Sequence, residues 1–276
     1  MARSVRLGST STLRELARSL TKLGLVGIAL GGLAVGCAPG NPGLVIEAQL
    51  APSDECDWDP TATATVAEPI MDLDPLTPAV LANIGIAETR PLYVAQFAVA
   101  NHLINRFSTS YPVMADPNTI TVTSAEIELL PESGASIPNG FYRTRASGTV
   151  LSAIGDQPGR GLVRVDLIPQ TVADRLAIRF ADALEGEGMI TARVVVIGQT
   201  QGGTEVRTLP YIMPIQLCYG CLYADRPLMS GESAGCSPGQ DFYYIAPGFT
   251  RTPACVTSGD CASGLCVLGH CARDEI

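Results

Sequence analysis

The sequence predicts an all-β protein, an antiparallel sandwich with one short helix, followed by a small disulfide-rich tail. Several segments alternate apolar and polar residues with a period of two, which is typical of half-buried strands. Turns rich in glycine and proline separate these segments, and seven of the nine cysteines lie after residue 217. Short strands with such turns and little helix are typical of two packed antiparallel sheets. Within this class an immunoglobulin-like topology is our first expectation and a jelly roll the second.

Seven segments carry the strand pattern: residues 44–50, 92–101, 119–130, 141–151, 161–168, 189–197 and 211–217. A weaker alternation of Thr and Ala predicts a further strand over residues 61–66, and residues 69–90 are expected to form an irregular connection. In the third segment the alternation shifts by one residue part-way along. Because such a slip exchanges the two faces of a strand, we expect a bulge near Thr123 and Ser124.

One segment has the period of a helix instead. Its apolar residues recur every four positions, at Val172, Leu176, Phe180 and Leu184. Pro169 precedes this stripe and Gly186 follows it, and both are ordinary signals for the ends of a helix. We interpret the stripe as a face that packs against the sheet and contributes to the core.

The N-terminal residues have the pattern of an export signal. A basic leader precedes an uncharged run of thirteen residues from Leu23 to Val35, which ends just before Cys37. That order is typical of a secretory signal, and the run is shorter than the roughly 20 residues of a membrane-spanning helix. Ala34-Val35-Gly36-Cys37 resembles the lipobox of bacterial lipoproteins, which the type II signal peptidase cuts before the cysteine. The resemblance implies that the thiol of Cys37 carries a diacylglycerol and that the new amino terminus carries a further acyl chain.

The chain therefore divides into four predicted parts. Residues 1–36 are the signal peptide, 37–43 a tether, 44–217 the β-sandwich domain and 218–276 the disulfide-rich C-terminal region. In the Gram-negative lipoproteins that this lipobox resembles, the residue after the lipidated cysteine directs sorting. Ala38 at that position, in place of Asp, implies the outer membrane. The resemblance thus predicts a protein that its lipid holds in the cell envelope.

Composition narrows the range of partners. Cleavage of the leader removes five of the 18 basic residues and one of the 27 acidic residues, which leaves a formal charge of −13. An acidic surface of this kind repels phosphate backbones, so nucleic acid is disfavoured as a partner. Lys22 is the only lysine, so the mature chain has none for Schiff-base chemistry. The expected partners are the membrane, through the lipid, and another envelope protein; no cofactor is expected.

Eight cysteines remain besides Cys37, and an even number in an exported chain predicts up to four disulfides. They are Cys56, Cys218, Cys221, Cys236, Cys255, Cys261, Cys266 and Cys271. The last four, with their glycine- and serine-rich spacers, resemble a small cysteine-rich repeat of Dickkopf-like type, which implies two bridges among them. Cys218-Tyr-Gly-Cys221 and Cys236-Ser-Pro-Gly-Gln-Asp241 resemble segments of uncharacterised cysteine-rich lipoproteins of myxobacterial type, which imply no particular activity.

One motif raises the alternative of a serine hydrolase. Residues 231–235 spell G-x-S-x-G, the nucleophile-elbow pattern, and Asp241 or Asp260 and then His270 follow Ser233 in the chain order of hydrolases. That motif requires a strand before the serine and a helix after it, whereas loops containing proline flank it here. We therefore interpret the match as a coincidence within a loop.

Cys218 and Cys221 form a C-x-x-C pair, which raises the alternative of a thiol–disulfide oxidoreductase. Reactive pairs of this kind lie at a helix N-terminus, whereas this pair ends a predicted strand. We therefore interpret it as a static bridge, either within the pair or to partners such as Cys56 or Cys236. Zinc bound by the tail cysteines is disfavoured, because exported thiols are oxidised and oxidised sulfur does not bind zinc.

Calcium is the remaining metal to consider, through the acidic residues Asp54, Asp57, Asp59, Asp72 and Asp74. A calcium loop needs oxygen ligands at alternate positions and a glycine at its turn, and the segment lacks that glycine. We interpret it as a solvated acidic loop. The leading hypothesis is a lipid-anchored envelope protein with a non-enzymatic binding or structural role. The alternative is an envelope enzyme, with Ser233 or the pair Cys218 and Cys221 as its reactive group.

Overall fold

The alternating segments form the strands of one curled sheet. The computed structural model describes residues 43–74, 92–105, 116–132, 137–184, 186–227, 229–230, 235–247 and 249–273. Within them the main sheet has nine strands: β1 Leu44–Gln49, β2 Ile70–Asp72, β3 Tyr93–Asn101, β4 Ile120–Pro131, β5 Phe141–Val150, β6 Gly159–Ile168, β7 Met189–Thr200, β8 Glu205–Arg207 and β9 Tyr211–Cys218. The helix α1 spans Gln170–Arg179. The all-β class with one short helix is confirmed.

A single hydrogen-bonded path joins the strands of this sheet. Its order is β1-β3-β6-β5-β4-β7-β9-β2, with β8 paired to β7. Every pair is antiparallel except β2 with β9. An immunoglobulin-like arrangement has two separate sheets, whereas here the layers that enclose the core belong to one sheet. The sheet curls, because Phe97 on β3 and Tyr211 on β9, far apart in the strand order, bring their ring centroids to 5.6 Å.

The bulge expected near Thr123 and Ser124 is confirmed. The register of β4 shifts between Val122 and Ser124 against both of its neighbours, β5 and β7. Val122 before the shift and Ala125 and Ile127 after it are all buried. The extra residue therefore keeps the apolar side chains on the inner face. A bulge also bends the strand that contains it, which suits the curl of the sheet.

One hydrophobic core fills the space inside the curl. It takes side chains from both halves of the sheet and from the helix, among them Phe97, Ile127, Val165, Leu176 and Ile215. Four buried residues of the C-terminal region belong to the same core: Tyr219, Val267, Leu268 and Ala272. Burial of apolar surface at about 25 cal/mol per Å² is the main stabilising contribution to such a fold. The predicted parts 44–217 and 218–276 therefore share one core.

The helix begins where predicted and ends earlier. Pro169 is its N-cap, but the helix stops at Arg179, before the last two residues of the apolar stripe. After Arg179 the chain pairs with the C-terminal region. Ala181 forms a β-bridge with Val267, and the amide of Asp182 donates to the carbonyl of Cys266 at 2.7 Å. No helix of the described residues is both long and apolar enough to cross a membrane.

Two predictions about the segment after β1 are wrong. Residues 61–66 form no strand, and only Thr65 makes an isolated bridge, to Leu50. Residues 61–65 are exposed, and alanine side chains bury too little apolar surface to hold a strand on a core. The connection predicted for residues 69–90 contains the strand β2, and residues 75–91 lie outside the described part of the chain.

Short strands and bridges organise the C-terminal region. β10 Tyr223–Ala224 pairs in parallel with β11 Tyr244–Ile245, and β12 Cys266–Val267 forms a hairpin with β13 His270–Cys271. All eight cysteines expected in disulfides are paired, as Cys56–Cys236, Cys218–Cys221, Cys255–Cys266 and Cys261–Cys271. The two bridges implied by the Dickkopf-like resemblance are thus Cys255–Cys266 and Cys261–Cys271.

Candidate ligand-binding pocket

The segment 239–241 closes the gap between the two edges of the curled sheet. On one side it pairs with the edge strand β2: the amide of Asp72 donates to the Gly239 carbonyl at 2.8 Å, and the amide of Asp241 donates to the Ile70 carbonyl at 2.8 Å. On the other side the Gln240 side chain bonds both backbone groups of Val94 on β3, each at 2.8 Å. A single side chain therefore continues the sheet beyond the end of β1.

Asp241 joins the two edges through its carboxylate. It accepts hydrogen bonds from the Tyr93 hydroxyl, from Gln49 Nε2 at 3.0 Å and from the Ile70 amide at 3.1 Å. Burial raises the pKa of Asp241 to about 6, and the three hydrogen bonds oppose this rise. Its backbone has φ 59°, a conformation that non-glycine residues seldom adopt. Backbone strain of this kind is found preferentially at functional sites.

A shallow pocket, open to solvent, lies beside this closure. It is lined by Gln49, Leu50, Pro52, Trp58, Val94, Gln96, Ser237, Gln240, Asp241 and Phe242. Trp58 is the only tryptophan of the chain, and 43% of the Phe242 surface is exposed. The lining thus combines two aromatic side chains with several planar polar groups, which is the usual make-up of a small-molecule site.

Two amide oxygens of this lining accept no hydrogen bond from the described residues. Oε1 of Gln49 and Oε1 of Gln96 are both buried and unpaired, and only 3% of the Gln49 residue is exposed. Gln49 is fixed through its other amide atom, because Nε2 donates to the Tyr93 hydroxyl at 2.8 Å and to Asp241. A buried acceptor without a donor costs about 1–3 kcal/mol. Both oxygens are enclosed by neighbouring protein atoms, so a bound molecule would reach them only after the lining rearranges.

A disulfide ties together the two walls of the pocket. Cys56 lies in the loop that carries Trp58, and Cys236 precedes the closing segment; the two are 180 residues apart in sequence. The loop is ordered by its own hydrogen bonds, since Ser53 Oγ accepts from the amides of Glu55 and Asp57. Cys56 also has a positive φ, of 64°. The bridge therefore holds a strained loop in place against the sheet edge.

Asp72, at the other end of β2, is a fully buried acid beside the C-x-x-C bridge. Its carboxylate accepts hydrogen bonds from three backbone amides, those of Gly220 at 2.7 Å, Leu222 at 2.8 Å and Asp74 at 2.9 Å. Burial raises the pKa of Asp72 to about 7, against the opposing effect of these amides. The carboxylate and the sulfurs of Cys218 and Cys221 lie within 4.8 Å of one another.

Asp74 lies two residues further along the chain, and Arg273 balances the charge of its carboxylate. Arg273 bonds it through two nitrogens, at 2.7 and 3.1 Å, and also donates to the Thr250 carbonyl at 2.7 Å. The guanidinium lies over the Phe249 ring, 5.2 Å from its centroid. Burial raises the pKa of Asp74, while Arg273 acts in the opposite direction. This ion pair fastens the end of the described chain to the sheet.

Asp241, Asp260 and His270 of the hydrolase hypothesis are engaged in other contacts. Ser233 lies outside the described residues, as does Cys37. Asp241 closes the sheet, and Asp260 accepts hydrogen bonds from Thr257 and Val256 in the tail. His270 Nδ1 lies 3.1 Å from the Thr252 carbonyl oxygen.

The residues considered as metal ligands are also engaged in other bonds. In the described part of the chain, the groups of three potential metal ligands that lie close together are Cys255, Cys261 and Cys271, and Asp72 with Cys218 and Cys221. All of these cysteines are in disulfides, and a disulfide sulfur is not the thiolate that binds zinc. Asp59, considered above for calcium, instead accepts hydrogen bonds from the amide and hydroxyl of Thr61, each at 2.7 Å.

Comparisons with known proteins add no relative. Searches against protein-family models, curated proteins and solved structures each found no match.

Proposed function

We propose that this chain is an exported, lipid-anchored protein of the cell envelope that binds a neutral saccharide without transforming it. The observation that carries the proposal is the pair of unpaired amide oxygens, on Gln49 and Gln96, in a pocket that also presents Trp58 and Phe242. A buried acceptor without a donor reduces the stability of the empty protein, and a ligand hydroxyl satisfies it when the lining opens to admit that donor.

The chemistry of the pocket favours a saccharide. A sugar ring offers hydroxyl donors on its edge and an apolar C–H face, which match amide acceptors and aromatic side chains respectively. The formal charge of −13 on the mature chain disfavours phosphorylated or sulfated ligands. The pocket is a shallow depression with little enclosed volume. It suits one sugar residue at the end or edge of a longer chain.

The anchor is supported by the sequence. Export through the signal at residues 1–36 and lipidation at Cys37 account for the oxidised cysteines of the body, because disulfides persist in compartments outside the cytoplasm. Two or more acyl chains give stable attachment to a membrane. Ala38 supports the outer membrane as the destination. A binding protein held there has direct access to the polysaccharides of the envelope.

The binding half of the proposal is tested on an array of neutral oligosaccharides. The purified mature chain is expected to retain at least one glycan, and Trp58→Ala is expected to abolish that signal. Phe141→Ala is the matched control, because Phe141 is a surface aromatic on β5, 68% exposed and outside the pocket. Binding that survives Trp58→Ala, or the absence of binding to any glycan on the array, would contradict the proposal.

The anchoring half is tested by mass spectrometry of the native protein. The expected N-terminal peptide begins at Cys37 and carries the mass of its acyl chains. Cys37→Ala is expected to leave the leader uncut. An unmodified Cys37 with the leader still attached would overturn the assignment to the envelope.

A further inference from the structure

The Cys218–Cys221 bridge closes the shortest loop of the four disulfides. It closes a loop with a sequence separation of 3, whereas Cys56–Cys236 spans 180 residues. Loop-closure entropy assigns about 2 kcal/mol to so short a loop and about 5 kcal/mol to the long one. The strand that ends at Cys218 is already held by β7 and β2. Stabilisation is therefore a weak explanation for this bridge.

The bridge is also accessible, which the tail bridges are not. Cys218 and Cys221 are both partly exposed. The four tail cysteines are buried, with exposures between 0% and 9%. Thiol–disulfide exchange requires a thiolate to reach a sulfur atom. Of these three bridges, a dissolved thiol meets the C-x-x-C pair first.

A buried carboxyl group lies close to the two sulfurs. The Asp72 carboxylate is within 4.8 Å of both, is fully buried, and bonds the amides of Gly220 and Leu222 from the same loop. Burial raises the pKa of Asp72 to about 7, so this acid exchanges protons in the neutral range. The other titratable groups that act on Asp72 or on its neighbour Asp74 are Tyr219, Tyr223, Asp74, His270 and Arg273.

From this arrangement we infer that Cys218–Cys221 is a redox-active disulfide that oxidises dithiols outside the cytoplasm, with Asp72 as its buried proton-exchange group. The inference is independent of saccharide binding. Cys218 and Cys221 are the catalytic residues, because they form and break bonds with the substrate. Asp72 is a positioning and proton-transfer residue, which acts through the cysteines.

The exchange balances without a further reactant. A substrate thiolate attacks one sulfur of the bridge; the Cys218–Cys221 bond breaks, a mixed disulfide forms, and the released cysteine thiolate takes a proton from Asp72. The second substrate thiolate then attacks the substrate sulfur of the mixed disulfide and releases the other cysteine. The first substrate thiol gives its proton to solvent, and the second gives its proton to the Asp72 carboxylate before it attacks. The last cysteine thiolate takes a proton from solvent. The substrate is oxidised to a disulfide, the pair is reduced to two thiols, and Asp72 ends protonated as it began.

The first test compares bridges within one sample. The native protein is equilibrated in glutathione buffers of graded ratio, the free thiols are alkylated, and each cysteine peptide is quantified by mass spectrometry. We expect half of Cys218 and Cys221 to be alkylated at one glutathione ratio, and half of Cys255 and Cys266 at a ratio that is at least about tenfold more reducing. Coincident reduction of the two bridges would overturn the inference.

The second test measures the rate at which the reduced Cys218 and Cys221 react with a small aromatic disulfide, between pH 5 and pH 9. The wild-type rate is expected to show an inflection near pH 7 in addition to the ionisation of the thiols. Asp72→Asn is expected to lack that inflection and to react about tenfold or more slowly at pH 7, whereas Asp166→Asn, a surface control on β6, keeps the wild-type profile. An unchanged profile in Asp72→Asn would contradict the role of Asp72. If that variant does not fold, a wild-type profile with thiol ionisation alone contradicts it equally.

Discussion

A buried carboxyl group lies at each end of β2, and neither forms an ion pair with a cation among the described residues. At the Ile70 end, Asp241 is held by a tyrosine hydroxyl, a glutamine amide and one backbone amide, next to a pocket with unpaired acceptors. At the other end, Asp72 is held by three backbone amides, next to a disulfide. The pKa of Asp241 and the pKa of Asp72 are both raised, mainly because the carboxyl groups are buried.

The groups that hold Asp241 differ in kind from those that hold Asp72. Mostly side chains hold Asp241 beside the pocket, whereas backbone amides hold the Asp72 carboxylate to the loop of the C-x-x-C disulfide. Asp74 supplies the contrast: paired with Arg273, it has its charge balanced within the protein and serves the fold. Each site can therefore be perturbed on its own.

Removing one disulfide at a time has the largest expected effect on this comparison. The double variant Cys56→Ser, Cys236→Ser is expected to lose about 5 kcal/mol of unfolding free energy and Cys218→Ser, Cys221→Ser about 2 kcal/mol. The first also releases the Trp58 loop and is expected to abolish ligand binding. Urea unfolding of both variants measures the two losses. Equal losses would mean that the C-x-x-C bridge is a staple like the other and that the contrast fails.

Arg273→Met is expected to lose about 3–5 kcal/mol, because it leaves Asp74 buried without its cation. Arg193→Met is the matched control, since Arg193 pairs with Glu128 at 2.9 Å on the surface and such pairs contribute about 0–1 kcal/mol. Denaturant unfolding of the two variants measures the difference. A loss in Arg273→Met no larger than in the control would show that the ion pair does not fasten the tail.

The pH dependence of the unfolding free energy measures the contribution of Asp72. Its pKa in the folded protein is about 7, above that of the unfolded chain, so the folded state binds the proton more tightly. The resulting stability is fully present below about pH 4 and is lost as the pH rises through about 7. The stability of wild type relative to Asp72→Asn is therefore expected to fall by on the order of 2–4 kcal/mol between pH 4 and pH 8. Urea unfolding across this range measures it.

A constant or rising difference would contradict the assignment for Asp72. Asp241→Asn is expected to give the same sign over a narrower window, because the pKa of Asp241 is about 6. Its contribution is lost between about pH 4 and pH 6.

The smallest effect is expected at Gln96. Gln96→Met removes the unpaired acceptor and keeps similar volume, so it is expected to raise the unfolding free energy by about 1 kcal/mol while it abolishes ligand binding. Gln199→Met, at an exposed position of β7, is the control and is expected to change stability by less than about 0.5 kcal/mol. A destabilised Gln96→Met would show that its amide oxygen is already satisfied.

Local patterns predict most of the sheet and little of the sites. The phase shift around Thr123 and Ser124 locates the bulge, because alternation is a property of neighbouring residues. β2 has three residues and no period to detect, and it exists because β9 and the closing segment hold it from both sides. Asp72 therefore has the sequence context of a solvated loop, although it is fully buried. That burial is a property of the closed sheet.

The pocket is harder still to predict from sequence. Gln49 and Gln96 occupy polar positions on strands, and only their meeting beside Trp58 and Asp241 makes their oxygens unpaired acceptors. The disulfide that braces the pocket joins residues 180 apart, and eight cysteines allow about 105 pairings. Such information resides in long-range contacts.

The fluorescence of Trp58 tests the central claim most directly, because it is the only tryptophan in the chain and it lines the pocket. Titration of the native protein with the glycan that it retains is expected to change this emission saturably. The same titration of Gln96→Met, which keeps Trp58, is expected to change nothing. An equal, saturable response in both proteins, or a flat response in the native one, would contradict a ligand site built on these acceptors.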